Sequence, residues 1–64
     1  MEKSVMIYDG DRLVMELIVI EERNCAQFAI KKANVRRIIS REKFFMYIDI
    51  ARYIGHTVYD YTGF

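Results

Sequence analysis

The chain has 64 residues, one cysteine, one histidine and a formal net charge of +1. That length makes a single small domain over residues 1–64, a size at which only about 60% of the unfolded chain's surface becomes buried. One cysteine excludes an internal disulfide, Cys25 and His56 alone are too few ligands for a structural metal, and the balanced charge excludes a protein that works mainly as a polycation.

The hydrophobic share is 53%, above the usual range for globular chains. With disulfides and metals set aside, self-association is the expected source of extra stability, most simply a homodimer. No run of about 18 apolar residues exists to span a bilayer. "MEKSVMIYDGDR" carries no apolar run that would read as a secretory signal. Together with a free cysteine, this favours a reducing, cytoplasmic setting.

Val5–Tyr8 and Leu13–Ile20 are apolar, β-branched runs separated by Asp9-Gly10-Asp11. Asp-Gly supplies the positive φ of a tight turn, so the chain opens with a β-hairpin. In the second strand Leu13, Met15, Leu17 and Val19 share one face, while Val14, Ile18 and Ile20 join Glu16 on the other. A strand apolar on both faces wants covering twice, which makes Val14, Ile18 and Ile20 candidate self-association residues.

Cys25–Ala33 reads two ways. Asn24 with Gln27 resembles a capping box and the alanines favour helix, which gives a ββααβ alternative with 25–33 helical. Ala26, Phe28 and Ile30 alternate with Gln27, Ala29 and Lys31, and this favours a third strand after a Glu22-Arg23-Asn24 loop.

"KKANVRRIISREK" follows and packs six of the ten basic residues, Lys31, Lys32, Arg36, Arg37, Arg41 and Lys43, into thirteen positions. Residues 1–30 are net −3, residues 31–43 net +5 and residues 44–64 net −1. If helical, Lys32 with Arg36 and Arg37 with Arg41 would form a phosphate-tracking ridge. As a short strand or irregular bridge, the charges would splay and serve solubility or the steering of an acidic partner.

Ser40 stands at an N-cap position ahead of a helix over about 41–54 that stops at Gly55. At 100° per residue Phe44, Tyr47, Ile48, Ile50, Ala51 and Ile54 form the apolar stripe. Phe45, Met46 and Tyr53 fall outside it and are candidate partner-binding anchors, since interface cores enrich aromatics and methionine. His56–Tyr61 then alternates as a short final strand, with Tyr59 and Tyr61 on one side. Thr62-Gly63-Phe64 is too short to order itself unless Phe64 docks.

The fold expected is therefore α+β: an N-terminal hairpin, a third strand and one main helix on a small antiparallel sheet, closed by a short C-terminal strand. Chemistry-bearing motifs are missing. "DGD" lacks the further oxygen ligands and terminal glutamate of a calcium loop. The three glycines are isolated, which excludes a phosphate loop. Cys25 and His56 are singletons without an oxyanion loop; they read as a small apolar residue and a residue beyond a helix end. No cofactor, metal or catalytic residue is expected. Five tyrosines and four phenylalanines suit base stacking, but the RNP1 pattern is absent. No family is recognised. The profile fits a small non-enzymatic interaction module, of the style carried by phage or mobile elements, that dimerises and occupies a protein partner. The alternative is a nucleic-acid-binding regulator using Lys31 to Lys43.

Overall fold

A computed structural model describes all 64 residues, Met1–Phe64. The chain forms β1 (Glu2–Asp9), β2 (Arg12–Glu21), β3 (Ala26–Lys32), β4 (Val35–Ile39), α1 (Arg41–Tyr53) and β5 (Thr57–Asp60). The strands make one antiparallel sheet in the order β4-β3-β2-β1-β5, and the helix packs on one side of it. This is the expected α+β arrangement. The third strand forms where helix over 25–33 was the alternative, and a fourth, β4, joins it.

Local chemistry explains the hairpins. Asp9 pairs with Arg12 across the two-residue Gly10-Asp11 loop, and only Gly10 has positive φ (61°), the pattern of a type II′ turn. The register then slips: Ile7 faces Met15 but Tyr8 faces Leu13, so Val14 is the extra residue of a β-bulge. The second tight hairpin turns on Ala33 (φ 51°) and Asn34 (φ 66°), both left-handed as a type I′ turn demands.

Strand alternation puts Val5, Ile7, Leu17 and Val19 on the helix side, where they close a core with Phe44, Ile48 and Ala51. Full burial of each large member contributes roughly 1.5–3 kcal/mol. Phe28, Ile30, Ile39 and Val58 line its margins.

The helix begins and ends as its sequence dictates. Ser40 Oγ accepts from the Lys43 amide at 3.1 Å. At the other end Gly55 (φ 85°) donates to Arg52 O and His56 to Ala51 O, the paired bonds of a Schellman motif.

Two expected assignments on this helix are corrected. Ile50 and Ile54 lie outside the buried stripe, because one helix on a narrow sheet buries only the Phe44, Ile48, Ala51 face. Phe45 is half-buried, held between the rings of Phe28, Phe44 and Phe64 at 6.4, 5.2 and 5.6 Å. Phe64 thus docks, and it does so on aromatic partners.

No second layer covers the far side of the sheet, yet Ile18 is 1% exposed and Ala29 is fully buried there. The register puts Arg36 of β4 level with Met6, four residues from Glu2 on β1. In a flat sheet the two would stand about 14 Å apart laterally and about 13 Å along the strands. They form an ion pair at 3.1 Å. The sheet therefore curls along this diagonal, and Ile18 and Ala29 lie in the hollow beneath.

Candidate interaction surfaces

Met46, Ile50, Tyr53 and Ile54 are 43, 46, 92 and 57% exposed. Their spacing, i, i+4, i+7 and i+8, gathers them on the outward face of α1, away from the sheet. The two sequence candidates Met46 and Tyr53 meet here. The third, Phe45, does not: one residue from Met46, it turns about 100° into the aromatic cluster, where Arg41 lies 5.9 Å from its ring centre. Ile50 and Ile54 complete the face in its place.

The trio Val14, Ile18 and Ile20 does not form an exposed patch. The bulge carries Val14 onto the margin of the core, Ile18 is buried in the hollow of the curled sheet, and Ile20 is half-buried. With Ile18 covered inside the monomer, the far face of β2 offers no apolar surface that a second copy must cover.

The basic segment is a β-hairpin leading into a helix, so the helical phosphate ridge is not formed. Arg36 is held on the far side of the sheet by Glu2. Its hydrogen bond, then its charge, lowers the Glu2 carboxyl from its ordinary value, and the same contact raises Arg36. Lys31 pairs with Arg36 across the strands on that side. Lys32 and Arg37 point the other way and line a groove of about 380 Å³ with Ile30, Val35 and Tyr47. Lys43 stands in the first helical turn. Six cations that look contiguous in sequence thus occupy both faces of a strand pair and a helix.

The tyrosines of the sheet edge sit elsewhere. Tyr8 and Tyr59 meet edge to face at 5.6 Å. With Met6, Tyr61, Gly10 and Asp11 they line a groove of about 370 Å³ at the β1–β5 edge, the opposite side of the sheet from β4.

Cys25 is exposed in the β2–β3 loop rather than packed as a small apolar residue. His56 is half-buried between α1 and β5, next to the Thr57–Tyr8 pair. The β2–β3 loop lies at the Met1 end of β1 and Tyr8 near its other end, so the two side chains belong to opposite ends of the sheet. No group of three or more His, Cys, Asp or Glu side chains is placed to hold a metal ion. No helix is long and apolar enough to cross a membrane.

After β5, Asp60 accepts from the amide and hydroxyl of Thr62. Burial opposes its charged form, yet these bonds, the Arg52 charge and the Gly63 amide together hold the carboxyl below its ordinary value. This turn aims Phe64 at Phe45 and closes one side of a groove of about 590 Å³ floored by Phe28, Ile38 and Ile39.

Compared with known proteins, the chain matches no family model, and no curated protein or solved structure shows significant similarity to it.

Proposed function

We propose that the chain is a non-enzymatic interaction module that dimerises through the outward face of α1 and acts by occupying the surface of a protein partner. The exposed stripe of Met46, Ile50, Tyr53 and Ile54 carries this reading. A two-fold, antiparallel helix pairing centred on Ile50 sets Met46 against Ile54 of the partner subunit, which makes the stripe self-complementary.

Size supports it. The accessible surface is 4773 Å², against about 4,300 Å² for a folded monomer of this mass. Aromatic and aliphatic groups supply part of the excess. Left in water, each such side chain forgoes up to roughly 1.5–3 kcal/mol, a large sum against a stability of about 0.05–0.15 kcal/mol per residue.

Catalysis has little support, since Cys25 and His56 lie at opposite ends of the sheet. The nucleic-acid reading needs aromatics and free cations side by side. The exposed tyrosines of the sheet, Tyr59 and Tyr61, lie at the β1–β5 edge beside Asp11, away from the cations around β4, where the half-buried Tyr47 shares a groove with Lys32 and Arg37.

Dilution of the isotopically labelled chain, followed by NMR, tests the reading. Amide shifts that move with concentration are expected at Met46, Ile50, Tyr53 and Ile54. Shifts unchanged throughout the molecule would refute it.

A further inference from the structure

β4 is an edge strand: Ile39 reaches the core margin and Val35 and Arg37 share a groove with Tyr47, but no element pairs with its outer edge. Val35, Arg36, Arg37 and Ile38 are all exposed. The type I′ turn at Ala33-Asn34 sets which backbone groups are free. Its closing pair is Lys32–Val35, so the Val35 amide points inward to β3 and, by alternation, so do those of Arg37 and Ile39. The N–H and C=O groups of Arg36 and Ile38 therefore face outward without a strand to meet them.

Charge decides what can pair there. Residues 31–41 contain five cations and no carboxylate. A second copy added antiparallel along β4 would set Arg37 against its own equivalent or, slipped by two residues, Arg36 against its own, and like charges opposite one another destabilise a strand pair. An acidic strand meets the reverse condition. Its groove-side carboxylate would stand opposite Arg37, within the cleft that Lys32, Val35 and Tyr47 share. The next residue would lie on the far side against exposed Ile38, which favours an aliphatic.

We infer that β4 is a docking edge for an extended, acidic segment of another protein, added as a sixth strand through the backbone of Arg36 and Ile38. Alternating acidic and aliphatic residues are the sequence it selects. This surface is separate from the α1 face. A dimer would carry two such edges and bind a partner with two acidic segments more tightly than either edge alone.

The test is a titration of the labelled full chain with a blocked peptide of alternating Glu and Val, read by amide shifts and hydrogen exchange. The same titration on Tyr53→Glu, which breaks only the α1 face, keeps failure of the dimer distinct from failure of this proposal. Saturable shifts and slowed exchange at Arg36 and Ile38 are expected in both proteins, with binding weakened at least fivefold in Arg37→Glu and partly restored in Arg37→Lys. A peptide N-methylated at alternate residues is expected not to bind. No change at Arg36 and Ile38 would overturn the proposal, as would equal binding by the N-methylated peptide or by a Lys-Val counterpart. Preferential binding of single-stranded oligo-dT at these amides would overturn it in favour of nucleic acid.

Discussion

Arg36 on β4 grips Glu2 on β1 at 3.1 and 3.3 Å although β3 and β2 lie between their strands. The pair bridges the concave side of the sheet, over the hollow that holds Ile18 and Ala29. Both side chains are well exposed, so the bond is screened by solvent and orients the strands more than it stabilises them.

The depressed Glu2 carboxyl gives this pair a pH signature. A carboxylate whose folded pKa lies below its unfolded one contributes stability that is present above the unfolded value and lost as pH falls through the folded one. Glu2→Gln should therefore lower stability slightly at neutral pH and match the parent protein in acid below the carboxylate range. Urea unfolding of both proteins at the two pH values checks this. A constant difference at both would show that the pair does not titrate as described.

Ile18 reports on the curl itself. Replacing it with alanine should cost about 2–5 kcal/mol, the range for a large core aliphatic, although no helix covers that side of the sheet. Ile38→Ala, at an exposed position of the same face, should cost less than about 1 kcal/mol. Chemical denaturation of the two variants separates a curled sheet from a flat one, in which both positions would behave as surface.

Ala33 is a non-glycine residue at positive φ, a conformation costing an L-residue roughly 1–2 kcal/mol. Ala33→Gly should raise stability by about 0.5–1 kcal/mol, less than the whole relief because glycine also loosens the unfolded chain. A higher urea midpoint with unchanged slope is the expected result. A lower midpoint would mean that the turn is not of type I′.

The same turn shows where the sequence stopped being legible. Asp9-Gly10 and the Ser40 and Gly55 caps announce themselves, because each residue type matches the backbone it must adopt, and the first hairpin and the helix follow from them. Ala33-Asn34 carries only half of such a signal, since asparagine favours the left-handed region and alanine does not. With four flanking cations at mixed spacing, β4 was readable only as one of two options. Val14 was lost to a one-residue bulge, which reverses every side chain beyond it without altering the apolar pattern. Ile50 and Ile54 extend an apolar arc wider than one narrow sheet covers, and Phe45 falls among Arg41, Glu42, Asp49 and Arg52, so periodicity alone misplaces all three. Met46 and Tyr53 stood out because they lie opposite Phe44 and Ile48 on any such wheel.

The stripe they form is the proposed dimer contact, and sedimentation equilibrium of the full chain measures it. A small helix-to-helix interface at the low end of interface sizes should give a dimer dissociating at about tens of micromolar. The dimer fraction should grow with concentration across that range, and Tyr53→Glu should stay monomeric at every concentration. A parent chain that stays monomeric, or a Tyr53→Glu variant that dimerises equally well, would contradict the proposed contact.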